Sequence, residues 1–112
     1  MRWTTVCHRE RLQPERGVAA LLDDGTGDPV QVAIFLTHDG AVHAIGNVDP
    51  FSGAAVLSRG IVGDRGGVPT VASPVYKQVF SLLDGRCLDD PEVAVRCHPV
   101  AVVDGWVRVG LP

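Results

Sequence analysis

The sequence predicts an all-β protein, a small antiparallel sandwich or barrel of short strands. Short apolar segments rich in β-branched residues alternate with turn signals along most of the chain. Thirteen glycines and eight prolines also favour strands and turns over a helical bundle. The 112 residues leave no room for a second independent core, so we expect a single domain over 1–112.

Four strands are predicted in the first half of the chain, at 4–7, 17–22, 30–37 and 41–45. Residues 23–29 form a loop in this prediction, because their Asp and Gly adopt turn conformations and their Pro ends strand pairing. His38-Asp39-Gly40 indicates a compact hairpin between the third and fourth strands. Pro14 limits the polar segment 9–16 to one short helical turn.

The second half begins with a less regular, Gly-rich segment at 47–67. Strand signals resume at 68–72 and 78–83, and Asp84-Gly85 ends the later of the two. Pro69 indicates a position at the edge of a sheet or at the start of a strand, because proline cannot donate a ladder hydrogen bond.

The last hairpin gives the clearest local signal. Asp104-Gly105 separates two apolar segments, 99–103 and 106–109. This dipeptide favours a two-residue type I′ turn, in which both central residues need positive φ. Alternation in the final strand predicts one buried face, Val107 and Val109, and one wetter face, Trp106 and Arg108.

Composition and charge exclude several classes of protein. A hydrophobic content of 46% and a charged content of 21% indicate a globular chain rather than a disordered one. The formal net charge of −3 argues against a nucleic-acid partner, which would favour a clustered basic face. No apolar run reaches the roughly 20 residues that span a bilayer. The first residues lack the features of a signal peptide, so a cytoplasmic location is expected.

The cysteines and histidines do not indicate a metal or catalytic site. Three cysteines, Cys7, Cys87 and Cys97, are an odd number, and buried, reduced thiols are expected. Cys97 and His98 are adjacent, so in a strand they point to opposite faces. The four histidines do not converge in the sequence, and neither a nucleophile elbow nor a phosphate-binding glycine motif is present. We therefore expect no catalytic residue in this chain.

Two short loops have the layout of a metal site. Asn47-Val48-Asp49 and Ser73-Pro74-Val75-Tyr76 resemble, in spacing, the Cys-x-His and Cys-Pro-x-His segments with which Rieske domains hold a [2Fe–2S] cluster. The four ligand positions fall on Asn47, Asp49, Ser73 and Tyr76. Because no thiolate is present there, we expect neither a bound cluster nor another metal.

The loops are instead expected to keep a rigid shape. Pro50 and Pro74 stiffen them, and the side chains of Asn47, Asp49 and Ser73 can hydrogen-bond nearby backbone amides. The ring of Tyr76 is expected to pack where an imidazole and a cluster would otherwise lie. A rigid loop end of this kind is a good docking surface.

Four segments together resemble the small subunit of assimilatory NAD(P)H-dependent nitrite reductase, and the resemblance covers essentially the whole chain. They are 47–51 (NVDPF), 56–61 (VLSRGI), 71–80 (VASPVYKQVF) and 83–87 (LDGRC). The resemblance implies a Rieske-like [2Fe-2S] ferredoxin fold that has lost its cluster. It also implies a non-catalytic accessory subunit, without a cofactor of its own. The implied partner is a large subunit carrying FAD, sirohaem and an iron–sulfur centre, which reduces nitrite to ammonium.

On this interpretation, part of the loop region docks on the large subunit. The candidate surface comprises Asp49, Phe51, Arg59, Tyr76 and Lys77. An exposed Phe51 near an arginine and a tyrosine has the composition of an interface hot spot.

Two other functions remain open. The chain could be a Rieske-type electron-transfer protein whose atypical iron–sulfur site uses Cys87 and Cys97. It could also be a free-standing β-barrel module that binds another oxidoreductase. Iron and sulfide analysis separates the first of these from a cluster-free subunit, and a pull-down with the large subunit separates the second.

Overall fold

The computed structural model describes residues 2–23 and 25–111. Within them the chain forms ten strands and two single 3₁₀ turns, Arg9–Arg11 and Leu57–Arg59. The strands are β1 Arg2–His8, β2 Gly17–Asp23, β3 Pro29–Leu36, β4 Val42–Gly46, β5 Ile61–Arg65, β6 Val68–Ala72, β7 Val79–Ser81, β8 Cys97–His98, β9 Val100–Val103 and β10 Trp106–Leu111. No helix in this described part is long and apolar enough to cross a membrane.

The strands form three sheets in which every strand pair is antiparallel. The first sheet has the order β1-β10-β9, the second β2-β3-β4-β8 and the third β5-β6-β7. The all-β antiparallel architecture and the position of most strands were predicted from the sequence and are confirmed.

Strand β3 is the centre of the fold, because both of its faces are buried. Its side chains alternate between two hydrophobic cores, as successive residues of a strand must. Val32 and Ile34 pack with Val107 of β10 in the first core. Ala33 and Phe35 belong to the second core, which includes residues of the third sheet. The second sheet therefore separates two cores.

The closing hairpin has the predicted geometry. Asp104 and Gly105 have φ values of 53° and 82°, both positive as a type I′ turn requires. Val107 and Val109 are buried, whereas Trp106 and Arg108 are exposed. The alternation predicted for this strand is confirmed.

The middle of the chain is more regular than its sequence indicated. The segment expected to be irregular, 47–67, contains the turn Leu57–Arg59 and the edge strand Ile61–Arg65. The strand escaped prediction because it lacks an apolar face: Ile61 is 73% exposed and its neighbours are largely exposed as well. The predicted strand 78–83 is shorter in the structure because the chain turns back at Ser81, whose carbonyl accepts the Gly85 amide.

The second core positions the two loops. The first loop, residues 47–51, follows β4, and the second loop, residues 73–77, connects β6 to β7. Ile45, Val71 and Phe80, one from each of these strands, pack in the same core. The ends of β4 and β6 are thereby held at a fixed separation.

Candidate functional site

Asn47 attaches the first loop to the turn Leu57–Arg59. Its side chain is buried, and its Oδ1 accepts the backbone amide of Ser58 at 2.8 Å. Its own backbone carbonyl accepts the amide of Leu57 at 3.1 Å. The exposed side chain of Arg59 therefore belongs to a turn that is hydrogen-bonded to the start of the first loop.

Asp49 connects the first loop to the second. Its Oδ2 accepts the hydroxyl of Ser73 at 2.6 Å, and its Oδ1 accepts the amide of Phe51 at 2.9 Å. Asp49 is 0% exposed and Ser73 is 1% exposed. Two residues that lie 24 positions apart in the sequence thus form a buried hydrogen bond between the loops.

The Asp49 carboxyl is held in its ionised form. Burial opposes ionisation, but hydrogen bonds from Ser73, from the Phe51 amide and from Ser52 outweigh it and lower the pKa below the ordinary value. A buried carboxylate is tolerated when several donors surround it in this way. The bond to Ser73 is therefore charge-assisted, which makes it stronger than a hydrogen bond between neutral groups.

Each loop is also closed by its own backbone. The carbonyl of Asp49 accepts the Gly53 amide at 2.7 Å, and the carbonyl of Ser73 accepts the Lys77 amide at 3.1 Å. Lys77 has a φ of 67°, a left-handed conformation that is uncommon for a residue with a side chain. Both loops are therefore tight turns, each closed by a hydrogen bond of its own backbone.

The hydrogen bonds expected from the sequence are confirmed. Asn47 and Asp49 accept backbone amides as described above, and the Ser73 hydroxyl accepts the Val75 amide at 3.3 Å. The bond between Asp49 and Ser73 was not predicted, because the sequence does not show which residues of separate loops meet.

Three expectations about individual side chains are wrong. Asp49 is fully buried and cannot form part of a docking surface. Phe51 is half-buried, because its ring packs against that of Phe80 with centroids 6.2 Å apart. Tyr76 does not fill the space between the loops but is 60% exposed. Asp49 and Ser73 already meet there, and a phenol ring has no room between them.

Exposed residues within and beside the two loops form the outer surface. Val48 and Val75 are exposed, and so are Pro50 and Lys77. Val48 pairs with Ala55 in a short β-bridge, where neighbouring side chains point in opposite directions, so Val48 faces outward when Asn47 and Asp49 face inward. This alternation was the sequence signal that could have identified Val48. We call the exposed set the tip, which comprises Val48, Pro50, Val75, Tyr76 and Lys77.

The residues at the four ligand positions do not fit a [2Fe–2S] cluster. Such a cluster needs thiolates on at least one iron, and a Rieske centre adds two imidazoles. Asn47, Asp49, Ser73 and Tyr76 supply neither group, and the first three already engage in hydrogen bonds. Within residues 2–23 and 25–111, no three His, Cys, Asp or Glu side chains converge in a way that could hold a metal ion.

The cysteines do not compensate for the missing ligands. Cys87 is buried in the second core, as expected. Cys97 is exposed and Cys7 half-buried, so the expectation of three buried thiols is wrong for both. In β8 it is His98 that faces inward, which places Cys97 outside. Desolvation of the Cys97 sulfur and the nearby Asp84 carboxylate raise the pKa of this thiol, which disfavours the thiolate that a metal requires.

Away from the two loops, the structure has a cleft lined by three carboxylates, and these carboxylates accept hydrogen bonds from nearby backbone amides. Glu15, Asp39 and Asp64 line a cleft between the β3–β4 turn and the β5–β6 hairpin. Each carboxylate accepts a backbone amide from a nearby turn. These interactions explain the carboxylates as turn-stabilising groups.

Comparisons with known proteins agree on one family. The family model of the Rieske-like [2Fe-2S] domain matches residues 2–110. The nitrite reductase (NADH) small subunit of Escherichia coli K12 is 43% identical over 108 residues, which cover 96% of this chain and 95% of that protein. A crystal structure from Mycobacterium tuberculosis, described as an NADH-dependent nitrite reductase small subunit, is 58% identical with a TM-score of 0.90. That alignment covers 96% of this chain and 93% of the other.

A third relative is a much longer protein. The nitrite reductase [NAD(P)H] large subunit of Klebsiella oxytoca is 44% identical over 108 residues. These residues make up 96% of this chain but 11% of the relative. In that protein, a segment similar to nearly all of this chain is part of the polypeptide named as the large subunit.

Proposed function

Because the chain belongs to the Rieske-like family and, within it, to the small subunits of NAD(P)H-dependent nitrite reductase, we propose that it is a non-catalytic accessory subunit of that enzyme. Its partner is the large subunit, which by resemblance carries FAD, sirohaem and an iron–sulfur centre. The reaction of the assembled enzyme is the reduction of nitrite to ammonium with a nicotinamide as electron donor.

The proposal that this chain holds no cofactor rests on the side chains at the four ligand positions of the two loops. The loops keep the spacing of a cluster site, but Asp49 and Ser73 bond to each other. With no thiolate at the four positions, a [2Fe–2S] cluster lacks its ligands. Electrons from the nicotinamide then reach nitrite through the large subunit alone, and this chain contributes binding.

The proposed docking surface is the tip together with Arg59. Its exposed apolar side chains, Val48, Val75 and Tyr76, can be buried by a partner. Lys77 and Arg59 are both exposed and add positive charge, which suits an acidic surface on the large subunit. Tyrosine and arginine are also enriched among the residues that dominate binding energy. The surface thus retains Arg59, Tyr76 and Lys77 of the sequence-based set and replaces Asp49 and Phe51 with exposed neighbours.

The Klebsiella relative supports the assignment of the partner. There the segment similar to this chain and the large subunit are one polypeptide, so one copy of each is present per chain. A separate small subunit that contacts the large subunit in the same proportion, one to one, is the simplest equivalent. We also propose that the complex is cytoplasmic, where NAD(P)H is the common reductant.

Nitrite-dependent oxidation of the nicotinamide tests the proposed function. The large subunit is assayed with and without this chain, and the chain is assayed alone. We expect no turnover by the chain alone, and a change in the rate or the stability of the large subunit when the two are combined. No effect on the large subunit, together with no co-purification, would favour the free-standing module.

Iron analysis tests the absence of a cluster. Protein purified without oxygen should be colourless, with iron and acid-labile sulfide far below one equivalent per chain. Stoichiometric iron and sulfide with a visible absorption band would instead establish the electron-transfer alternative. Variants of Cys87 and Cys97 would then show whether these residues are the ligands.

A further inference from the structure

We propose that the hydrogen bond between Ser73 Oγ and Asp49 Oδ2 takes over the mechanical task that metal ligands perform in a cluster-binding relative, which is to hold the two loops together. The bond lies at one position of each former ligand pair. It spans 2.6 Å between side chains that are fully shielded from water. We call this bond the clasp.

The clasp continues into the backbone of both loops. On one side, Asp49 Oδ1 accepts the amide of Phe51. On the other side, the Ser73 hydroxyl accepts the amide of Val75. A chain of three hydrogen bonds therefore runs from one loop to the other. Its two ends adjoin Pro50 and Tyr76, which belong to the tip.

The other interactions of the loops explain why the clasp matters. The backbone bonds from Gly53 to Asp49 and from Lys77 to Ser73 each close a single loop. They shape the turns but do not set the distance between the outer parts of the two loops, since the second core fixes only the ends of β4 and β6 from which the loops start. The contact between the rings of Phe51 and Phe80 also joins the two regions, but it is apolar and less directional than a charge-assisted hydrogen bond.

A bound cluster would hold the two loops together through four bonds between protein ligands and iron. The clasp holds them together through one hydrogen bond, without iron. The docking geometry of the tip is then independent of metal supply and of oxidation state. This last step rests on the proposed function, because it assumes that the large subunit binds the tip. The mechanical role of the clasp does not rest on it and can be measured in the free chain.

Amide hydrogen exchange, followed by NMR on the full chain, tests the clasp with Ser73→Ala. We expect the amides of Phe51 and Gly53, in and beside the first loop, to exchange about ten- to hundredfold faster, as the loss of a charge-assisted bond allows. Ser73 lies in the second loop, so a purely local role would accelerate only Val75 and Lys77. Unchanged exchange at Phe51 and Gly53 would overturn the proposal.

Ser81→Ala is the matched control. Ser81 is also a buried serine, and its hydroxyl accepts the Leu83 amide at 3.1 Å within its own turn. Its removal should leave the amides of both loops unchanged. If Ser73→Ala does not fold, Ser73→Cys keeps nearly the same shape with a much weaker donor, and faster exchange in the first loop is again expected.

The double variant Asp49→Ala/Ser73→Ala tests whether the two side chains act as one unit. If they do, its loop amides exchange no faster than those of the more affected single variant. Fully additive effects of the two substitutions would contradict the clasp.

Affinity for the large subunit separates the clasp from the proposed function. Ser73→Ala should lower the fraction of the free chain whose tip has the binding-competent shape. We therefore expect it to weaken binding to the large subunit by roughly threefold or more. Faster exchange in both loops with unchanged affinity would support the clasp and contradict docking through the tip. Weaker affinity with unchanged exchange in the first loop would contradict the clasp and leave docking intact.

Discussion

Asp49 and Ser73, which by loop spacing correspond to two of the four ligand positions of a Rieske domain, bind each other. Asn47 binds the amide of Ser58 instead, and Tyr76 is exposed. Replacing soft or imidazole ligands by short oxygen-bearing side chains thus converts a metal site into a hydrogen-bonded one. The loss of the ligands could be predicted from the residue types. The pairing could not, because it depends on how two distant loops are brought together.

A buried histidine gives a prediction at the same scale. Burial lowers the pKa of His98, and the positive charge of Arg96 adds to this, while a hydrogen bond to the Gly110 backbone partly offsets both. Since the folded-state pKa lies below the unfolded value of about 6.5, the neutral form contributes stability above that value. This stability is lost as the pH falls through the folded-state pKa.

Urea unfolding at several pH values between 7.5 and 5 measures this loss. Wild-type protein should become less stable as the pH falls, and His98→Gln should show a smaller dependence. His43, whose pKa burial also lowers, accounts for part of the remainder. Equal pH dependence in wild type and His98→Gln would contradict this account.

At the scale of elements, the position of the loops follows from strands that the sequence predicted well. Strand β6 was predicted with its observed bounds, and β4 to within one residue. Apolar residues of both strands pack in the second core, and this burial requires the apolar, β-branched sequence from which the strands were predicted. The turn Leu57–Arg59 and strand β5 were not predicted. Their hydrogen bonds depend on Asn47 and on β6, and no apolar periodicity marks them.

A substitution of Gly60, which directly follows the turn Leu57–Arg59, tests how closely this part of the chain packs on β6. A Cβ added at Gly60 would lie within 3 Å of the Ala72 carbonyl oxygen and of a Val71 methyl carbon. Gly60→Ala should therefore destabilise the protein by about 1–3 kcal/mol, as overpacking does. Chemical denaturation measures the change.

Gly63→Ala is the matched control for Gly60→Ala. At Gly63 in β5, an added Cβ would have only an ordinary contact with Thr70 at 3.5 Å. Its stability should change by no more than about 0.5 kcal/mol. Equal effects of the two alanines would mean that the turn is free to move away from β6.

At the scale of the whole molecule, three antiparallel sheets share two cores, and β3 contributes to both. The all-β class, the closing hairpin and the family were predictable from alternation, turn residues and the loop segments. It was harder to predict which side chains are exposed, because exposure depends on tertiary contacts between residues that are distant in the sequence. The Phe51 ring packs against Phe80 and is half-buried, so its substitution would disturb packing in the second core. Val48, Pro50 and Val75 lie outside instead.

The most direct test of the central claim is calorimetric titration of the purified large subunit with this chain and two variants. Val75→Asp/Tyr76→Asp changes two exposed residues of the tip. Trp106→Ser is the control, since Trp106 is comparably exposed but lies in the first sheet.

We expect wild type and Trp106→Ser to bind with equal affinity, at about one copy per large subunit. The tip variant should bind at least tenfold more weakly, because two hot-spot positions become charged. Full affinity of the tip variant, with or without a loss for Trp106→Ser, would contradict docking through the tip.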